Sequence, residues 1–234
     1  MKLLIVAATQ TELGPTYQHF GLHKEDFVQH PKFDILITGV GMTATAFALG
    51  RHLNSTYSLV LNVGIAGSFD NGIELGTVLS INEDTFAELG AEDHEQFIDL
   101  KTLGFGEHTF KSTYVIPDLL RVKGITVNKV HGNSNSIAAM HKRLAPQTES
   151  MEGAAVLYAC NQLHLPCAQV RSISNLVEPR AKNNWKIGLA VQNLNTWLIE
   201  FIATYTKWVK HDRFQIHLAL FLLHETDPWL FALS

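Results

Sequence analysis

The stretch DILITGVGMTATAFALGRHL, residues 34–53, holds the unit from which the fold follows. An isoleucine-rich apolar run comes first, two glycines one residue apart break it, and a helical pattern of small and apolar residues follows. The run at 34–38 does not alternate with polar residues, so it reads as a strand covered on both faces. Similar runs recur at 3–8, 59–63, 77–81, 125–130 and 168–173, with helical patterns at 43–53, 137–144, 153–163 and 189–209. In the last of these, Ala190, Leu194, Trp197, Phe201, Tyr205 and Trp208 recur at three- and four-residue steps. Strands interleaved with helices predict a single α/β domain whose central sheet, mixed or largely parallel, is flanked by helices.

The rest of the chain agrees with that unit. Its 234 residues suffice for one domain, two at most, and bury roughly 70–75% of the unfolded surface without staples. Only 17% are charged, 18 basic against 22 acidic for a net −4, which excludes disordered and coiled-coil classes. Without clustered Lys and Arg, no nucleic-acid partner is expected. Cys160 and Cys167 lack zinc-site spacing and read as free buried thiols. The apolar start covers six residues before Thr9, Gln10, Thr11 and Glu12, which suits a buried first strand better than a signal peptide. No run approaches the roughly 18 apolar residues of a membrane span, so the reading is cytoplasmic. Residues 1–210 read as the domain and 211–234 as an apolar C-terminal extension of unknown role, broken at Asp227-Pro228. Both a packed appendage, on the domain or on a partner subunit, and a loosely held tail suit its composition.

Gly39-Val40-Gly41-Met42-Thr43-Ala44 fits the dinucleotide fingerprint, but the acid expected about 20 residues on is missing from Val60-Leu61-Asn62-Val63. A plain tight turn and a ligand-facing loop with amides near an anion both remain open. A second glycine loop is expected at 64–68, and two such loops at neighbouring strand ends form a small-molecule crevice. Glu12 follows the first strand. Glu152 stands directly before Gly153-Ala154-Ala155, beside the soft apolar Met151, and a carboxylate there can accept from both hydroxyls of a ribose diol. Asn175 offers a donor and an acceptor. Pro179 fixes the turn presenting Arg180, whose fork suits a ligand carboxylate or a surface salt bridge. Of twelve histidines, none forms H-E-x-x-H, and the His19/His23 pair spans Gly21. With neither a G-x-S-x-G elbow nor a Walker loop, no metal site and no nucleophilic serine are expected.

Together these segments resemble the purine nucleosidase and phosphorylase superfamily over about residues 1–209. Glu12, the Gly-Ile-Ala-Gly run at 64–67, Met151-Glu152 and Ser174-Asn175 are similar to the methylthioadenosine/S-adenosylhomocysteine nucleosidase branch. The segments 39–46, 64–69, 86–93, 149–155 and 173–180 are more similar still to the futalosine hydrolase group. The resemblance implies a nucleoside phosphorylase-like fold and cofactor-free hydrolysis of futalosine to hypoxanthine and dehypoxanthine futalosine, a step of menaquinone biosynthesis. It also implies a homodimer or larger homo-oligomer with a small-molecule nucleoside as substrate. Carried over, Glu12 is the acid/base carboxylate beside the attacking water, Met151 packs on the ribose, Glu152 holds its hydroxyls and Gly67 lines the purine pocket. A purine-stacking position falls near Asn135–Ser136, which puts Ser136 in the pocket wall. Asn175 stands where the nucleosidase branch has an aspartate. An amide N–H can donate to N7 and O6 of a 6-oxopurine, whereas an ionised carboxylate is repelled by O6. Arg180 or Arg171 is expected to meet the benzoate of futalosine. The alternatives are an aminopurine nucleosidase, a 6-oxopurine phosphorylase and a non-catalytic nucleoside-binding protein.

Overall fold

The computed structural model describes the backbone of residues 2–226 and, of their side chains, those of 2–205 and of 207. The order is β1 (Lys2–Ala7), α1 (Gly14–His19), β2 (Phe27–Gln29), β3 (Phe33–Ile37), α2 (Met42–His52), β4 (Tyr57–Ser68) and β5 (Val78–Phe86). A hairpin of β6 (Gly90–Asp93) and β7 (Gln96–Asp99) follows, then β8 (Thr109–Lys111), β9 (Arg121–Thr126), α3 (Ser134–Leu144) and β10 (Thr148–Ser150). Last come α4 (Gly153–Gln162), β11 (Cys167–Leu176), a 3-10 turn at Lys182–Asn184 and α5 (Ile187–Thr226).

The expected α/β domain with a mixed sheet is what these elements build. The main sheet runs β10-β9-β5-β11-β4-β1-β3-β2, with β8 on β5. Pairings β1–β3, β1–β4, β4–β11, β5–β9 and β9–β10 are parallel, while β2–β3, β5–β8, β5–β11 and β4–β10 are antiparallel. Because β10 bonds to both β9 and β4, the strands β4, β11, β5, β9 and β10 close a ring. Leu3–Ala7 are fully buried, as an unbroken apolar run should be in a sheet covered on both faces. One core joins Leu4, Val6, Leu36 and Val60 to Leu49 of α2 and to Val156, Leu157 and Cys160 of α4. Cys160 and Cys167 are free and buried.

Two expectations need correction. The segment 64–68 is not a loop but the continuation of β4, paired with β11 as far as Ser68↔Leu176 and with β10 at Gly67↔Glu149. Glycine is needed in this strand because a Cβ at Gly64 would run into the Arg171 guanidinium and the Glu12 carboxylate. The run at 125–130 leaves the sheet after Thr126, and Val127 instead donates to the Ser150 carbonyl.

Residues to Thr196 form one compact unit and those from Trp197 a second. In the second, the rings of Trp197, Phe201 and Tyr205 stack in succession at 5.2 and 5.6 Å. The helical pattern expected to end near residue 209 runs on to Thr226. The role sought for 211–234 falls on side chains outside the described set, and residues 227–234 lie outside it altogether. No helix among the described residues is long and apolar enough to cross a membrane.

Candidate active site

Where the ring closes, Gly67 of β4 lies between Asn175 of β11 and Glu149 of β10. A Cβ on Gly67 would meet Val177, Asn175 Nδ2 and Glu149 Cγ, so both polar side chains rise on the same face of the sheet. Above this face is a cavity of about 400 Å³. Glu12, Gly67, Met151, Glu152, Asn175 and Arg180 all line it.

Glu12 is 8% exposed and held from three directions. Its Oε1 accepts from the Ile65 N–H at 3.0 Å, and Oε2 accepts from the Thr9 N–H and hydroxyl at 3.0 and 3.1 Å. Asn195, fully buried on α5, donates to the Glu12 carbonyl while its Oδ1 takes both the N–H and hydroxyl of Thr16, fixing α1 behind the carboxylate. Burial raises the Glu12 pKa above the ordinary carboxylate value; the Arg171 charge and the Ile65 N–H partly offset this.

The glycine turn after β3 meets a carboxylate of the protein itself. Gly39 and Gly41 have φ of 82° and 93°, which side-chain-bearing residues rarely adopt. The Gly41 N–H, at the start of α2, donates to Glu152 Oε1 at 3.0 Å. Among the described residues Glu152 Oε2 has no protein donor, so it is free to accept from a ligand. Behind Glu152, α4 begins close against a buried network, where a Cβ on Gly153 would collide with Asp84 and Gln169. Asp84 accepts from Thr126 Oγ1 at 2.9 Å and Gln169 Nε2 at 3.0 Å, and Thr126 Oγ1 in turn accepts from Ala154 N–H. Full burial pushes Asp84 up to about 6.

Asn175 is oriented by its neighbours. The Ser174 hydroxyl donates to its Oδ1 at 2.8 Å, and its Nδ2 donates to the Leu176 carbonyl at 2.9 Å. One Nδ2 hydrogen remains for a ligand. Arg180 lies at the cavity with its guanidinium 5.3 Å from the ring centre of Trp185, a second lining residue.

Two expected residues are elsewhere. Ser136 is not among the lining residues: it lies in the first turn of α3, its hydroxyl donating to the Asn133 carbonyl. The wall comes instead from Val130 and His131, ahead of α3, and the lining aromatic is Trp185. Arg171 does not reach the cavity as a carboxylate partner. It is 1% exposed within β11, with Nη2 donating to Asn62.

Sequence reasoning missed His131 and gave Glu149 no role. Their pairing is short, 2.6 Å from His131 Nδ1 to Glu149 Oε2, and the His131 N–H donates to the other oxygen at 3.0 Å. Burial pushes the Glu149 pKa up and His131 counters it. Neither side chain has a motif, and only the position of Glu149 three residues before Glu152 hinted at a place in the site.

The sequence pattern described as the phosphorylase superfamily matches residues 5–206. The futalosine hydrolase of Acidothermus cellulolyticus is 32% identical over 176 residues, 69% of this chain and 71% of that protein. That of Streptomyces coelicolor is 28% identical over 199 residues, 77% and 83% of the two chains. Among solved structures, the futalosine hydrolase of Helicobacter pylori superposes with a TM-score of 0.72 at 15% identity, covering 87% of this chain and 98% of that one. The methylthioadenosine/S-adenosylhomocysteine nucleosidase of the same organism gives 0.74 at 16%, with the same coverage. At these identities the solved structures speak to the fold alone.

Proposed function

This chain belongs to the phosphorylase superfamily, and from that membership and its cavity we propose that it cleaves the N-glycosidic bond of futalosine with water, releasing hypoxanthine and dehypoxanthine futalosine. The carrying observation is that Glu12, Glu152 and Asn175 surround one cavity. Breaking a ribose–purine bond passes through an oxocarbenium-like transition state, which needs a held water, a clamped sugar and a stabilised leaving base.

Glu12 takes the proton of the attacking water. Its raised pKa makes it a better base at neutral pH than an ordinary carboxylate, while Thr9 and Ile65 fix its direction. Glu152, braced by the Gly41 N–H, accepts the ribose hydroxyls and holds the sugar over Met151; its charge favours the developing cation. The spare Nδ2 hydrogen of Asn175 donates to the O6–N7 edge of hypoxanthine and stabilises the base as it leaves. Arg180, on the cavity wall, receives the benzoate end.

Water is favoured over phosphate as nucleophile because the available cradle is already filled. The Gly41 amide is bonded to Glu152, and Arg171 is buried against Asn62. The reading carries with it a cytoplasmic, homo-oligomeric enzyme of menaquinone biosynthesis that works without a cofactor. Purified protein should release hypoxanthine from futalosine in phosphate-free buffer. A strict phosphate requirement would replace hydrolysis by phosphorolysis, and saturable binding without base release would remove catalysis altogether.

A further inference from the structure

His131 and Glu149 lie in the cavity wall with no part in the mechanism above. Both Glu149 oxygens are spent on His131, one on its backbone N–H and one on Nδ1. The ring nitrogen opposite a hydrogen-bonded one takes the complementary role, so an imidazole giving its Nδ1 proton to a carboxylate presents a lone pair at Nε2. Among the described residues that Nε2 has no protein partner, and His131 lines the cavity. Asn175 and Glu149 flank Gly67 on opposite strands and rise on the same face, so their Cα atoms stand roughly two strand spacings, about 10 Å, apart. A flat base lying over Gly67 therefore offers one edge to Asn175 and the other to the His131–Glu149 pair.

We infer that His131, its tautomer set by Glu149, accepts the N1–H of a 6-oxopurine through Nε2. The inference rests on the reading of the cavity as a nucleoside site and adds the second point of base recognition. A 6-oxopurine presents an acceptor at O6 and a donor at N1; a 6-aminopurine presents the reverse. Donation from Asn175 Nδ2 together with acceptance at His131 Nε2 matches the first and mismatches the second at both positions. Glu149 is a positioning residue in this scheme, acting through His131.

The test compares kcat/KM for futalosine and its 6-aminopurine counterpart in the wild type and in Glu149→Gln. A glutamine at 149 can still accept the His131 N–H while its amide donates to Nδ1. That moves the ring proton to Nε2 and turns the acceptor into a donor. The oxo-to-amino ratio should fall by at least about tenfold, the scale of one reversed hydrogen bond. His131→Gln, which can keep an acceptor, should retain more of the ratio than His131→Phe. In a measurement needing no variant, the wild type should bind hypoxanthine at least about tenfold more tightly than 1-methylhypoxanthine. An unmoved ratio in Glu149→Gln, or equal binding of the two bases, overturns the role of His131. Failure of the wild type to hydrolyse futalosine would instead overturn the proposed function.

Discussion

Glu12 accepts three hydrogen bonds beside a buried guanidinium, yet burial outweighs them and leaves its pKa above that of an ordinary glutamate. A general base works only when ionised, so kcat/KM should fall as pH drops through that raised pKa, above pH 4.5. A pH–rate profile checks this. Glu12→Gln should lose about 10²–10⁴-fold in turnover while still binding nucleoside, and near-normal turnover would remove Glu12 from the chemistry. Asn175→Asp keeps an oxygen for the Ser174 hydroxyl, so it should fold, and its oxo-to-amino preference should shift towards 6-aminopurine nucleosides by about tenfold or more. A panel assay of base release reads that ratio. The place of Glu12, Glu152 and Asn175 at one cavity was legible in the sequence because each adjoins a local signature, a strand end or a small-residue helix start. His131 was not, since what defines its chemistry is a carboxylate eighteen positions away. Ser136 was misjudged because the path of 127–133, which carries Val130 and His131 to the wall, has no periodicity to read.

The start of α4 shows how one element is held against another by a buried acid. Asp84, Thr126 and Gln169 support the helix whose first residue follows Glu152, and among the described residues Gln169 Oε1 is buried without a partner. Asp84 binds its proton more tightly in the fold than in the unfolded chain. Its contribution is therefore fully present below pH 3.8 and is lost as pH rises to about 6. Asp84→Asn removes that dependence, and with the Gln169 amide turned over its Oε1 accepts from the new Nδ2. Relative to the wild type, the variant should gain about 2 kcal/mol between pH 4 and pH 7 in urea unfolding. A constant difference across those pH values would refute the burial argument. The long apolar strands were legible from composition alone, as were the helices with regular spacing. The three-residue strands β2, β8 and β10 were not: they are too short for a pattern, and partners distant in sequence make them strands.

For the whole molecule, the same burial that equips the site works against the fold at neutral pH. Glu12, Asp84 and Glu149 all have raised pKa values through desolvation, so each contributes stability that is lost as pH rises through its folded pKa. Unfolding free energy should hold or rise on going from pH 7 to pH 5 while turnover falls; parallel decline of both would contradict this. The α/β class was readable from the order of runs and glycines. Closure of the ring was not, because it depends on Thr148–Ser150 bonding to two strands at once. That closure has a consequence for how the molecule fluctuates. The amide protons of the seam can exchange with solvent only when β10 parts from β9 or β4, and a base lying on Gly67 between Glu149 and Asn175 would oppose that parting. Deuterium uptake at 148–150 and 66–68 should slow on adding hypoxanthine, making a three-residue strand a reporter of occupancy for the entire ring.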